Sequence, residues 1–302
     1  MELKTNLASI SLEHPLMNAS GTCGLLDGRE GVEGLARSAA SAIMVGPITL
    51  RPQEGDRGDM YRSKEGFSLK LLGIPRPGAE YYRRHLPEMV QVTHREGKKL
   101  FVSVAGSNPR KYARLAAMAF ERGADLVELN LGYPTIMQNG EQKPIACFSP
   151  DMVFEILWYV EKAVGPRAIV AVKLFPFSDF SLLAKIARLL SAARMVKVVT
   201  AMNTLPNAFA CRNNKELCID LNGGLAGLGG AAVKQTGLRQ VKQLKILLPD
   251  RIAVVSVGDI ATGQDVLDYL HAGATAVQIA TDLLQRGTKV FDNILGEMVN
   301  AA

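Results

Sequence analysis

The 302-residue chain is short of the residues that build metal centres and disulfide frameworks. Its four histidines (His14, His85, His94, His271) do not lie beside a cysteine pair, so no zinc or other metal site is expected. Its four cysteines, Cys23, Cys147, Cys211 and Cys218, show neither metal-ligand spacing nor framework density, which predicts reduced thiols. No apolar run reaches the roughly 18 residues of a membrane span. The opening MELKTNLASISL lacks the basic-then-apolar order of a secretory signal. These absences predict a soluble, cytoplasmic chain with no membrane partner. No Ser-His-Asp order, acidic dyad or nucleotide P-loop stands out either. The net charge is +6, but the basic residues are scattered and not interleaved with aromatics, so no nucleic-acid partner is expected. A phosphate-bearing cofactor or an acidic small-molecule substrate suits that charge.

What the chain does have is alternation. β-Branched runs at Leu16–Ala19, Ala42–Gly46, Leu100–Ala105, Leu126–Leu131, Ile169–Leu174, Val196–Asn203, Ile252–Gly258 and Ala276–Ala280 are separated by amphipathic stretches. The stretches include Lys111–Arg122, Pro150–Val164, Phe180–Ala193, Lys234–Leu248 and Gly263–Ala272. IVAVKL, IAVVSV and AVQIA read as near-continuous apolar runs rather than as alternation, as strands buried on both faces should. Eight such units predict an α/β fold: a single closed (β/α)8 TIM barrel spanning residues 1–302. Two open-sheet domains would need a linker, and no Pro/Gly/Ser-rich segment supplies one. Three connections, Pro47–Gly78, Gly132–Ser149 and Thr204–Gly230, exceed the usual 2–6 residues. All three follow a strand, which places them at the C-terminal face where barrel enzymes keep their chemistry.

Polar residues near strand ends are then the informative ones. Lys173 in AVKLFP, Asn130 in ELNL, Asn203 in TAMNT and Ser103 in strand three have no reason to sit in a buried strand unless they face the mouth. Lys173 is expected to point inward as a fixed positive charge. Glycines cluster late, in GGLAGLGG before a helix and in VGDI at the end of strand seven, with QIAT ending strand eight. Backbone N–H groups at such turns bind phosphate, and the loops after strands seven and eight are the usual phosphate site of this barrel.

These residues, in this order, resemble the FMN-dependent dihydroorotate dehydrogenases and their relatives among the dihydropyrimidine dehydrogenases. The resemblance runs over roughly residues 2–298. It rests on NASG (18–21), VGPITLRPQEG (45–55), LLGIPRPG (71–78), VSVAGS (102–107), ELNLGYP (128–134), VKL (172–174) and MNT (202–204). GLGGAAVK (227–234) and VGDIATGQDVLDYLHAGATAVQIAT (257–281) complete the set. It implies a dehydrogenase working on a CH–CH bond, by default dihydroorotate to orotate in pyrimidine biosynthesis, with hydride passing to FMN and a base removing the neighbouring proton. Lys173 would lie beside the flavin and stabilise its reduced form, while Ala19, Ser20 and Gly21 run under the ring. Ser103 and Asn130 would make polar contacts to the flavin, and Gly230, Gly258, Asp259, Ala280 and Thr281 would turn around its phosphate. Soluble relatives commonly form homodimers, some with an iron–sulfur electron-transfer subunit. The quinone-linked branch carries an N-terminal extension; with the sequence beginning almost directly at the first strand, no membrane attachment is expected.

Departures from the family pattern concentrate on the substrate side. Tyr133 stands where the family has its Cys or Ser base, and a phenol with a pKa near ~10 is mostly protonated at neutral pH. Asn130, Asn203 and Thr204 match substrate-side positions. Lys70 replaces the second-loop asparagine that precedes Gly73, and Thr135 replaces the loop-four asparagine. Gly46 occupies a position where many members carry lysine. The alternatives are therefore a divergent member acting on another small acidic or cyclic substrate, and a flavin-binding paralogue without dihydroorotate activity. A lyase using Lys173 as a Schiff-base amine is a third, disfavoured by the flavin segments. Asp259 replaces a glycine of the phosphate turn, so its backbone N–H rather than its carboxylate should face the ligand. Cys147, beyond the base position, is expected to be an ordinary buried thiol.

Overall fold

Apolar runs with no polar face need cover on both sides, and the structure gives them that cover. The computed structural model describes residues 3–24, 31–53, 61–64, 66–70, 76–132, 137–138, 141–142, 144–208, 211–212, 215–216 and 226–300. Eight parallel strands close into a barrel: β1 (Leu16–Asn18), β2 (Ala42–Ile48), β3 (Lys99–Val104), β4 (Leu126–Asn130), β5 (Val170–Lys173), β6 (Val196–Thr200), β7 (Ala253–Val257) and β8 (Ala276–Ile279). Closure is set by β8 against β1, with Val277 opposite Leu16 and Ile279 opposite Asn18. The expected (β/α)8 barrel is thus the observed one, with strand boundaries moved by at most three residues.

Side chains alternate between two apolar clusters. Met17, Met44, Phe101, Leu126, Ala171, Val198, Val255 and Ala276 pack together inside the barrel. Their neighbours, among them Val102, Val127, Val172, Val199, Val254 and Val277, pack outward with the helices. A hairpin of Thr5–Leu7 and Ile10–Leu12 adds Leu7, Ile10 and Leu12 to the inner cluster. The barrel is therefore a filled core with its ligand space at one end.

The helices in chain order are α1 (Val32–Arg37), α2 (Gly78–Arg95), α3 (Pro109–Glu121), α4 (Pro150–Val164), α5 (Phe180–Ala192), α6 (Lys234–Leu247), α7 (Gly263–Ala272), α8 (Thr281–Arg286) and α9 (Val290–Asn300). Several start where the local chemistry dictates. Asn108 and Ser149 cap α3 and α4 with proline as the next residue, Asp179 caps α5, and Thr262 with Asp265 forms a capping box on α7. The five helices expected from periodicity are α3 to α7. Helix α2 was hidden because Pro87 lies inside it and only Gly78, Ala79, Leu86 and Thr93 are buried along its 18 residues.

Two of the long connections meet. Phe67–Lys70, from the connection after β2, pairs antiparallel with Ala226–Gly229, from the connection after β6. Tyr61–Lys64 and Leu205–Ala208 extend them into a four-stranded sheet. The connection after β4 contributes the short pair Met137–Gln138 with Glu141–Gln142 and a 3-10 turn at Ala146–Phe148.

Candidate functional site

Above the apolar interior the barrel turns polar. Glu128, fully buried in β4, accepts hydrogen bonds from Ser103 Oγ at 2.9 Å, Thr200 Oγ1 at 2.8 Å and Gln278 Nε2 at 3.3 Å. Gln278 passes the contact on, its Oε1 accepting from Lys173 Nζ at 3.2 Å. Lys173 Nζ also reaches Ser20 Oγ at 3.4 Å. Lys173 does point inward, as its place in β5 predicts, and is 3% exposed. Burial pushes its ammonium below the ordinary lysine range, and the Glu128 charge opposes that shift.

The segment after β1 is held by a residue that pattern reading passed over. The Asn18 amide donates to Met44 O at 2.8 Å and Thr22 Oγ1 at 3.1 Å, and its Oδ1 accepts from Met44 N at 2.8 Å. This lashes Ala19, Ser20 and Gly21 to β2, where Gly21 N bonds Gly46 O at 2.7 Å. Gly46 itself has φ +93°, and a Cβ there would strike the Ser103 carbonyl oxygen and lie 2.9 Å from Ile48 N. A lysine cannot be grafted onto this backbone at 46.

Beside Gln278 a cavity opens between the barrel rim and the antiparallel sheet. Asn203, Thr204, Gly230, Gly258, Asp259, Ala280 and Thr281 line it together, with Thr22, Ser68 and Gln278. Seven residues singled out on sequence grounds therefore share one space. The sheet closes over them: Ser68 Oγ meets Thr281 Oγ1 at 2.9 Å, and a Cβ at Gly229 would sit 2.9 Å from the same Ser68 oxygen. Two helical tyrosines support the surrounding backbone, Tyr269 OH donating to Gly258 O at 2.6 Å and Tyr112 OH to Asn130 O at 2.8 Å. Asp259 adopts φ +49°, and its carboxyl is pushed above the usual carboxylate range by burial and by Asp265 and Asp282 nearby.

Comparison with known proteins shows the family. The family model described as "Dihydroorotate dehydrogenase" matches residues 2–301. The chain belongs to the dihydroorotate dehydrogenase family. Among its relatives, the dihydroorotate dehydrogenase (fumarate) of Kluyveromyces lactis is 31% identical over 95% of this chain and 89% of that protein. The dihydroorotate dehydrogenase B (NAD(+)) catalytic subunit of Methanopyrus kandleri is 33% identical over 89% of this chain and 81% of its own length. A dihydroorotate dehydrogenase crystallised with ferulenol, from Eimeria tenella, superposes with a TM-score of 0.81 at 17% identity, over 99% of this chain and 84% of that one, which speaks to the fold.

As a member of this oxidoreductase family, the chain keeps the polar rim together. Asn203 Nδ2 donates to Gly132 O at 2.6 Å and Asn130 Oδ1 at 3.3 Å, while Asn203 Oδ1 accepts from Thr204 N at 2.9 Å. Ser103 is buried, its hydroxyl proton directed at Glu128. Cys147 is a core thiol, pushed up to about 12 by burial. Tyr133, Thr135 and Gly73 lie outside the described residues, as does the side chain of Lys70. Glu128 and Gln278 are the site residues missed in the sequence. ELNL and AVQIA did carry them, as polar residues inside otherwise apolar barrel strands.

Proposed function

We propose that this dehydrogenase binds FMN at the barrel mouth and oxidises dihydroorotate to orotate. The observation that carries the reading is the buried Lys173 ammonium, facing the mouth next to a cavity walled by the glycine-rich turns. The residues present fit the cofactor: Gly230, Gly258, Asp259, Ala280 and Thr281 supply backbone around a phosphate at the start of α8. A side chain at Gly230, with φ +72°, would press on the Ser68 backbone at 3.0 Å, so the cradle needs glycine there. Ala19, Ser20 and Gly21 would lie under the ring, with Ser103 and Asn130 as further polar neighbours. FMN, when bound, is the hydride acceptor.

The chain's own residues do the rest. Lys173 places a positive charge where the ring becomes electron-rich. Asn203, pinned at both ends of its amide, and Asn130 hold the substrate, with Thr204, Lys70, Gly73 and Thr135 completing its pocket. Asn130 Nδ2 makes no hydrogen bond to another described residue, which leaves it for the substrate. Tyr133 takes the proton from the substrate carbon, assisted by the Lys173 charge, which favours the phenolate. We infer a homodimer, and an electron-transfer partner subunit of the kind that the name "catalytic subunit" implies for the Methanopyrus protein.

A second reading, a different small acidic or cyclic substrate or a paralogue that binds flavin without this turnover, is favoured by Gly46, whose backbone excludes the family's lysine. Anaerobic mixing separates the two. Bleaching of the protein's flavin absorbance by dihydroorotate, slowed at least tenfold by Tyr133→Phe, is the expected result. A yellow protein that dihydroorotate cannot bleach supports the second reading, and a colourless one that refuses FMN in excess overturns both. Sedimentation at micromolar concentration tests the dimer.

A further inference from the structure

The barrel interior holds one buried ammonium and one buried carboxylate among the described residues, and they do not touch. Lys173 and Glu128 are joined through the side-chain amide of Gln278, whose Oε1 accepts from Lys173 Nζ at 3.2 Å and whose Nε2 donates to Glu128 Oε2 at 3.3 Å. That amide orientation is fixed by charge. Turning it over would set an NH2 against the ammonium and a carbonyl against the carboxylate. Glu128 is locked in its own place by Ser103 from β3 and Thr200 from β6, so the three donors around it leave it only an acceptor's role. The ammonium has three N–H groups, and Ser20 and Gln278 use two of them.

We propose that Glu128 is a positioning residue for the reaction: through Gln278 it keeps Lys173 charged and aims the free N–H of its ammonium at the mouth, before any electrons arrive. The inference rests on the reading of Lys173 as the neighbour of the flavin. A buried amine without a counter-charge gives up its proton, because desolvation penalises the charged form. In this protein the desolvation is present, and Glu128 is the charged group that opposes it among the described residues. A direct ion pair would tie the ammonium down to the barrel floor. An interposed amide supplies the opposing charge at one remove and leaves one N–H facing the ligand.

The consequence can be counted in protons. With Glu128 in place, two electrons and one proton go to the ring, and the negative charge left there meets an ammonium already present. With Glu128→Gln, wherever Lys173 starts neutral a second proton must enter at Nζ as the two electrons arrive. Gln278→Met, which cuts the relay but keeps the carboxylate with its Ser103 and Thr200 donors, should do the same and serves if the first variant does not fold.

Two measurements on the full chain test this. The Cε resonance of 13C-labelled Lys173, assigned by its loss in Lys173→Met, is titrated in flavin-free protein. The expected result is a midpoint lower by about one pH unit or more in both variants. In flavin-loaded protein, the pH dependence of the midpoint potential reports protons per two electrons. The expected result is one in the wild type and two in the variants, over the pH range in which their Lys173 is neutral. A Lys173 titration unmoved in both variants overturns the proposal whether or not flavin binds. A failure of flavin binding alone overturns the functional reading and leaves the titration to decide the role of Glu128.

Discussion

At the scale of single residues, the site is built from side chains whose hydrogen bonds are already assigned. Asp259 stands apart for its backbone and its charge. It holds a left-handed backbone conformation that costs an L-residue roughly 1 kcal/mol, and it brings a carboxylate to a turn proposed to hold phosphate. Its carboxyl is raised by burial and by the neighbouring Asp265 and Asp282, so the folded protein binds its proton more tightly than the unfolded chain does. The sign follows from linkage. Stability from this group is present below the ordinary carboxylate value of 3.8 and is lost as pH rises through the raised folded value. Asp259→Gly should therefore be more stable than wild type at pH 7, with the advantage shrinking towards pH 4, as read from urea midpoints across pH. The same variant should bind FMN several-fold more tightly at pH 8, because the repulsion between carboxylate and phosphate is gone. Calorimetric titration giving equal affinities would show that the carboxylate points away from the phosphate. Lys173 could be singled out from sequence because a lysine amid IVAVKL stands out against its neighbours. Glu128 carried the same signal in ELNL, but its role was not legible there, because only the folded barrel shows that Ser103, Thr200 and Gln278 converge on it from three other strands.

At the scale of elements, helix starts brace the turns that wall the site. Helix α7 opens with Thr262 accepting from Asp265 N at 3.2 Å, while Asp265 Oδ2 accepts from Thr262 N and Thr262 Oγ1, both at 2.8 Å, and from Ala261 N at 3.1 Å. Lys234 from α6 bonds Asp265 and lies 2.8 Å from Asp268, and Arg286 of α8 donates to Ala261 O at 3.0 Å. The residues following Gly258 and Asp259 are thus tied to three helices. Removing the cap hydroxyl with Thr262→Ala should cost about 1 kcal/mol of stability, whereas Thr262→Ser should stay within about 0.5 kcal/mol. Paired urea melts check this, and FMN dissociation should quicken in the alanine variant alone. Elements of this kind were legible before the structure because their signals are local: a cap, a proline at the first turn, an apolar stripe. Helix α2 and the antiparallel sheet over the mouth were not. The first carries Pro87 inside it, and the second pairs Phe67–Lys70 with residues about 160 positions away, a partner no local pattern names.

For the whole molecule, closure of the barrel separates holding the fold from doing the chemistry. The lower interior is apolar, filled by Met17, Met44, Phe101 and Leu126 and joined by Leu7, Ile10 and Leu12 of the N-terminal hairpin. The upper interior is the polar layer of Ser103, Glu128, Thr200, Gln278 and Lys173. Every strand runs in the same direction through both, so a defect below need not alter the geometry above unless the barrel itself reshapes. Phe101 is the sharpest probe of that division, being 1% exposed and two residues below Ser103 on the same strand. Phe101→Ala removes a ring from a closed interior with few ways to collapse, and should lower stability by about 3–5 kcal/mol. If the two ends are independent, the surviving folded protein should bind FMN with unchanged affinity and show a flavin-reduction rate within about twofold of wild type at 15 °C. If reduction slows tenfold while the fold persists by circular dichroism, the floor of the barrel also sets the height of the polar layer. Glu128 would then be positioned by the packing beneath it as well as by its three hydrogen-bond donors.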